Sequence, residues 1–135
     1  MDRTIGPLVA RVLLSAIFVW SGLGKLAAKA ATIGYIESAG VPMPEIAYYL
    51  ALLAELGLGG LLLIGLLTRW AALGLAFFSI VSAAMFHANF ADQGQAINFM
   101  KNLAMAGGLL FAAMQGAGAI SVDGIFGKRR APLRR

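Results

Sequence analysis

We predict an all-α integral membrane protein, a four-helix bundle, from two features of the 135-residue sequence. First, 60% of the residues are hydrophobic and only 13% are charged, which is about half the charged fraction of an average soluble domain. Second, the apolar residues form continuous runs rather than the alternating pattern of strands. Four of these runs approach the roughly 20 residues that a helix needs to cross the bilayer core.

The four predicted spans leave only short connections between them. They cover about residues 7–24, 46–68, 70–91 and 102–122. Together with their loops they form a single domain over residues 1–127. The longest loop, residues 25–45, contains a short surface helix, as the spacing of Ile33 and Ile36 indicates. Thr68-Arg69 is a very tight turn, so the second and third spans are expected to be antiparallel neighbours.

The net charge of +5 comes from the end of the chain, because residues 128–135 contain five basic groups and no acids. A short basic tail on a neutral apolar body is typical of a membrane protein rather than a nucleic-acid-binding one. With both termini inside, the cytoplasmic side has Arg3, Arg69 and the tail, and the outside has Lys25, Lys29 and Lys101. This excess predicts a multi-pass membrane protein with both termini in the cytoplasm and residues 128–135 as a basic cytoplasmic tail.

The absence of cysteine and the single histidine restrict the chemistry. Without cysteine, no disulfide, thiolate metal site, iron–sulfur cluster or dithiol cycle can form within the chain. One histidine, His87, cannot supply bis-histidine haem ligation, and no carboxylate–histidine cluster of the di-iron type is present. The sequence therefore predicts no metal site and no built-in cofactor.

Glu55 is the strongest candidate for a functional residue, because it lies near the middle of the second predicted span. At about 1.5 Å per residue it is roughly 13–14 Å from the outer edge, too deep to reach the headgroups. It must be protonated or paired, and an ionisable residue inside the membrane is a functional hypothesis by default. His87 and Lys101 fall in the outer third of the third and fourth spans, and Lys25 ends the first span on the same side.

Each of these groups lies on a helix face that also contains small residues, which mark close helix–helix approach in membranes. One such stripe in each span predicts a polar pocket in the outer half of the bundle. The stripes are Arg11, Ser15, Phe18, Gly22 and Lys25; Ala51, Glu55 and Gly59; Ala72, Ala76, Ser79, Ala83 and His87; and Lys101, Met105, Gly108 and Ala112. Simpler interpretations stay open. Lys25 and Lys101 could reach the headgroups, His87 could make a structural hydrogen bond, and Arg11 and Arg69 could contact headgroups or helix ends.

Seven short motifs, spread over the predicted spans and the loops next to them, are informative as a set. They are Ser21-Gly22-Leu23-Gly24-Lys25-Leu26, Gly40-Val41-Pro42, Glu55-Leu56-Gly57-Leu58-Gly59-Gly60, Gly65-Leu66-Leu67-Thr68-Arg69, Met85-Phe86-His87, Phe99-Met100-Lys101-Asn102-Leu103-Ala104 and Gly107-Gly108. In this order and spacing the chain resembles the DoxX family of small bacterial membrane proteins over about residues 8–124. The resemblance implies four spans in the cytoplasmic membrane. Some members are described as membrane subunits of quinone-linked oxidoreductases, including thiosulfate- and catechol-related systems, others are associated with redox-stress responses, and many have no assigned activity.

The leading hypothesis is therefore a quinone-linked oxidoreductase or its membrane subunit. Glu55 would carry protons and His87 would hydrogen-bond a quinone carbonyl, as the catalytic pair. Lys25, Lys101 and Asn102 would bind the quinone or an anionic substrate. Because the chain brings no electron carrier of its own, a soluble or membrane redox partner subunit is expected beside the lipid bilayer. No nucleic acid partner is expected, and a homo-oligomer is left open.

Two other functions stay open, and the sequence does not decide whether the chain is an enzyme. A small proton-coupled transporter of the multidrug type also uses one membrane carboxylate in a four-span chain. In these exporters, however, the carboxylate lies in the first span, whereas Glu55 lies in the second. A non-catalytic scaffold or assembly factor would use Glu55 and Lys101 as a buried ion pair that sets the helix packing.

Overall fold

The computed structural model describes residues 4–130 of the chain, with side chains described through residue 127. Within this part, the regular elements are all helical, and four helices are long and apolar enough to cross a membrane. These spanning helices are α1 (Ile5–Ala27), α3 (Pro44–Ile64), α4 (Thr68–Phe86) and α5 (Gln93–Gln115). Two short helices follow α1 and α5, namely α2 (Lys29–Ser38) and α6 (Val122–Arg130). The predicted all-α membrane bundle is confirmed, while the side chains of the predicted tail, residues 128–135, lie outside the described part.

The four spanning helices form an antiparallel bundle in which each helix packs against its neighbours in sequence and α5 closes the ring against α1. The core consists of large side chains such as Leu62, Leu75 and Leu109, with alanines of α4 and α5 packed between them. We call the end of the bundle where α1 ends and α3 begins the α2 end. The opposite end, where α1 begins and α5 ends, is called the termini end.

The fourth spanning helix begins at Gln93 and ends at Gln115, instead of covering residues 102–122 as predicted. Its start is capped by Asp92, whose carboxylate accepts a hydrogen bond from the backbone N–H of Gln95 at 2.8 Å. The polar residues 93–95, which lie before the predicted span, therefore form the first turn of the helix. Gly116, with a φ of 78°, ends it. As a result, Lys101 lies inside the helix rather than at its start.

The turn between α3 and α4 lies at residues 65–67, and Thr68 and Arg69 begin α4 instead of forming the turn. Gly65 and Leu67 both adopt left-handed backbone conformations, with φ of 72° and 49°. An added Cβ at Gly65 would lie 2.5 Å from the Cβ of Ser121, so only glycine fits there. The third spanning helix also ends earlier than predicted, at Phe86, and the short helix predicted in the first loop is α2.

Candidate functional site

Lys25, Ser21 and Glu55 form a hydrogen-bonded cluster between α1 and α3. The Lys25 ammonium lies 2.8 Å from Glu55 Oε1 and 2.7 Å from Ser21 Oγ. Ser21 also donates to the same carboxylate oxygen at 3.0 Å. The side chain of Lys25 is 25% exposed and that of Glu55 only 5%. The charge of the buried carboxylate is therefore balanced by a cation that still reaches the surface near the α2 end.

Glu55 lies in a π-helical segment, Leu53–Leu58, at the middle of α3. Such wider turns are rare, occur mostly as single insertions within α-helices, and are frequent at functional sites. The segment packs against both α1 and α4, so it faces the interior of the bundle. Sequence reasoning placed Glu55 on a regular helix, because periodicity alone does not show where one extra residue is inserted.

The two oxygens of the Glu55 carboxylate have different surroundings. Oε1 accepts hydrogen bonds from Lys25 and Ser21, whereas Oε2 is buried and has no hydrogen-bond partner among the described residues. Buried polar atoms are nearly always hydrogen-bonded, so each exception calls for a physical explanation. One oxygen is thus held in place while the other can accept a hydrogen bond or a proton from a group inside the bundle.

His87 lies at the C-terminal end of α4, where its Nδ1 is 2.6 Å from Gln95 Oε1. This contact joins the end of α4 to the first turn of α5. The neighbouring Phe86 stacks on Tyr35 of α2, with ring centroids 5.6 Å apart. Among the described residues, no hydrogen bond joins His87 to the Glu55 cluster, so the proposed contact of His87 with a quinone stays a prediction.

Lys101 is exposed on the outer surface of α5. The buried pair between Glu55 and Lys101, which the scaffold alternative required, is wrong, because the carboxylate pairs with Lys25 instead. The reason is the register of α5: its inward face contains Asn102 and Ala106, and Lys101 is rotated from Asn102 by about 100° around the helix. Asn102 is half-buried, and its side-chain amide donates to the Asn98 carbonyl at 3.0 Å.

The other predicted stripes can be compared with the burial of their residues. In α1, Arg11, Ser15, Phe18 and Gly22 are all buried. In the α4 stripe every residue is buried except His87, which is half-buried. The inward orientation of these two stripes is confirmed. In the α5 stripe only Ala112 is buried, while Met105 and Gly108 are half-buried.

At the termini end, Arg11 and Asp123 hold the turn between α3 and α4. Arg11 is 2% exposed and donates to the carbonyls of Leu62 and Leu63 at 3.2 and 3.0 Å, and to that of Ile120. The interpretation of Arg11 as a helix-end contact is thus confirmed.

The carboxylate of Asp123 accepts hydrogen bonds from the backbone N–H groups of Leu67 and Thr68, both at 2.9 Å, at the start of α4. Burial acts to raise the pKa of Asp123, but these hydrogen bonds and the Arg11 charge outweigh it and hold the pKa below its ordinary value. Sequence reasoning missed Asp123. The signal was available, since a serine followed by an acid two residues later, Ser121 and Asp123, is typical of a helix start.

A four-span membrane bundle with a buried carboxylate–lysine pair is the class of protein that this fold and site define. The chain belongs to the DoxX family, whose model matches residues 6–88 and so includes Ser21, Lys25, Glu55 and His87. It is 42% identical over 128 residues to the inner membrane protein YqjF of Escherichia coli (strain K12), covering 93% of this chain and 95% of that protein. It is 35% identical over 126 residues to the inner membrane protein YphA of the same organism, covering 90% of each. No solved structure matches the chain.

Proposed function

We propose that this DoxX-family inner-membrane protein is a quinone-linked oxidoreductase, or the membrane subunit of one, with Glu55 as its proton-exchange group. The observation that supports this most directly is the divided environment of the Glu55 carboxylate, in which Oε1 is held by Lys25 and Ser21 and Oε2 is buried without a described partner. Reduction of a quinone takes up protons and oxidation of a quinol releases them. A site for this chemistry inside the membrane therefore needs a positioned acid–base group.

Lys25 and Ser21 provide the connection between Glu55 and the surface at the α2 end. The partly exposed ammonium contacts the hydroxyl, and both contact the carboxylate. A proton can therefore move between the surface and Glu55 through groups of the protein, without crossing hydrocarbon unaided.

The groups present at this position fit a quinone headgroup. An ammonium has three N–H donors, and Lys25 uses one on Ser21 and one on Glu55, which leaves one for a carbonyl oxygen. Glu55 Oε2 can accept from a quinol hydroxyl. Asn102 is half-buried in α5 and is a candidate for a second contact, whereas His87 lies nearer the surface at the α2 end and Lys101 lies on the outer surface of α5. A soluble or membrane redox partner subunit supplies or accepts the electrons in this proposal.

We further propose that the α2 end faces the outside of the cell and that both termini are cytoplasmic. Lys25 and Lys29 lie at the α2 end and Arg69 at the termini end. The helix α6, which contains the first residues of the basic segment 128–135, lies at the same end as Arg69, because Asp123 binds the start of α4. Cytoplasmic loops and tails carry the excess of Lys and Arg in membrane proteins.

The test compares Glu55→Gln with Glu37→Gln in cells that lack the natural chain. Glu37 is an exposed carboxylate of α2, so its substitution is a matched control for the change of residue type. We expect quinone-linked activity of isolated membranes, measured with a short-chain ubiquinone or ubiquinol, to fall by about 100-fold or more in Glu55→Gln, because a positioned acid–base group contributes this much. Unchanged activity in Glu55→Gln would refute the proposal. Proton-driven movement of a lipophilic cation by the purified chain in liposomes would replace it with a transporter.

The same ion pair also favours a second function, a non-catalytic scaffold, because it joins α1 to α3. The discriminating variant exchanges the partners as Lys25→Glu with Glu55→Lys. If this exchange restores both the stability and the membrane activity that the single substitutions Lys25→Glu and Glu55→Lys lose, the pair is structural. Restored stability without restored activity supports proton chemistry at Glu55.

A further inference from the structure

We propose that Ser79 of α4 belongs to the Glu55 site, where its hydroxyl and Glu55 Oε2 together bind one O–H group inside the bundle. That group is either an ordered water or the hydroxyl of a quinol. The quinol case rests on the proposed function, whereas the water case does not.

Ser79 is a buried serine that does not use its hydroxyl within its own helix. The side chain is fully buried, and its Oγ has no hydrogen-bond partner among the described residues. A serine inside a helix commonly bonds to a carbonyl one turn earlier. Ser15 of α1 does so, since it is equally buried and its Oγ lies 2.7 Å from the Arg11 carbonyl oxygen. The free hydroxyl of Ser79 is therefore not a general property of buried serines in this bundle.

Ser79 and Glu55 lie at nearly the same level of the membrane. Gly74 of α4 packs against Leu58 of α3, because a Cβ added at Gly74 would lie 2.6 Å from a terminal methyl of that leucine. From this contact both chains lead toward the α2 end, to Glu55 on α3 and to Ser79 on α4. At about 1.5 Å per residue the two positions differ by only about 3 Å along the bundle axis.

Both side chains also lie on inward faces. Ser79 belongs to the buried face of α4, together with Leu75, Ala76 and Ala83. The π-helical segment that contains Glu55 packs against α4 as well as α1, and Glu55 is itself 4% exposed. Two buried polar atoms without described partners thus lie on neighbouring helices, at one level, in the same interior.

An O–H group between these two residues would satisfy both of them. It would donate its hydrogen to the acceptor Glu55 Oε2 and accept a hydrogen bond from Ser79 Oγ. Buried waters in proteins typically make about three hydrogen bonds to groups of this kind. A quinol hydroxyl offers the same donor and acceptor, so the site would select a hydroxyl-bearing ligand without any change in covalent bonding.

Infrared spectroscopy of the full chain in liposomes tests this inference. The Glu55 bands are those lost in Glu55→Gln. We expect these bands to shift in Ser79→Ala and to stay unchanged in the matched control Ser15→Ala. Ser79→Thr, which keeps the hydroxyl, should restore the wild-type position. If Ser79→Ala fails to fold, Ser79→Cys takes its place as the test variant. Because a thiol is a weaker donor than a hydroxyl, Ser79→Cys should give a partial shift of the Glu55 bands.

Two sample conditions separate the two ligands. An O–H band that moves in isotope-labelled water and is absent in Ser79→Ala identifies an ordered water. A Glu55 shift that appears only after addition of short-chain ubiquinol, and only when Ser79 is present, identifies the quinol. Glu55 bands that are identical in wild type, Ser79→Ala and Ser79→Cys, with and without quinol, would overturn the proposal. The infrared measurement needs no redox turnover. If it shows that Ser79 and Glu55 are coupled while Glu55→Gln keeps normal quinone-linked activity, the proposed function is refuted and this inference stands.

Discussion

Lys25 extends toward the membrane interior, although lysines near the ends of membrane helices usually extend outward to the headgroups. Its ammonium contacts Ser21 on the preceding turn of α1 and then Glu55 of α3. The depth of Glu55 made a partner predictable from the sequence. Its identity was not predictable, because the choice between Lys25 and Lys101 depends on which face of α5 is turned inward.

Replacement of Lys25 by methionine is expected to destabilise the bundle, because it leaves Glu55 buried without its cation. The cost should exceed the ~1 kcal/mol of an exposed ion pair and stay below the ~3–5 kcal/mol of a fully buried one, since Lys25 is 25% exposed. The double variant Lys25→Met with Glu55→Gln should be more stable than Lys25→Met alone. Denaturant unfolding in mixed micelles measures both. Equal stability of wild type and Lys25→Met would contradict this view of the pair.

The close approach of α1 and α3 depends on the glycine face of α1. A Cβ added at Gly22 would lie 2.6 Å from two side-chain atoms of Leu56 and 3.2 Å from the Cβ of Glu55. At Gly24, two residues later in the same helix, an added Cβ meets nothing within 4 Å. The two glycines therefore form an internal comparison, one at the helix contact and one away from it.

We expect Gly22→Ala to destabilise the bundle and Gly24→Ala to leave its stability unchanged or slightly higher. Overpacking at a tight contact costs about 1–3 kcal/mol, which exceeds the ~0.5–1 kcal/mol that alanine gains over glycine within a helix. Reversible unfolding of the two variants under the same conditions gives the difference. If both substitutions have the same effect, Gly22 is not a packing residue.

Each element was predictable to the extent that its signal is local. Long apolar runs predicted the four spans, and the helical period predicted the buried faces of α1 and α4. The start of α5 was missed because Gln93 and Gln95 resemble a turn until Asp92 is recognised as their cap. The π-helical segment in α3 was missed because one inserted residue changes packing without changing composition.

At the scale of the whole molecule, the orientation of the bundle can be tested with single cysteines, since the natural chain contains none. Ala39 lies exposed at the α2 end and Gly127 lies exposed in α6 at the termini end. With both termini cytoplasmic, a membrane-impermeant maleimide should label Ala39→Cys in intact cells and Gly127→Cys only after the membrane is opened. The reverse labelling pattern would show that the bundle has the opposite orientation.

The contacts of Arg11 and Asp123 have a consequence for the order in which the molecule can be assembled. Ile120 and Asp123 follow the last spanning helix. Yet the Ile120 carbonyl binds the Arg11 guanidinium of α1, and the Asp123 carboxylate binds the backbone N–H groups of Leu67 and Thr68 at the start of α4. During synthesis these groups remain incompletely paired until every membrane segment has been made. A nascent chain that stops after Gln115 therefore has all four spans but lacks the contacts of Ile120 and Asp123 at the termini end.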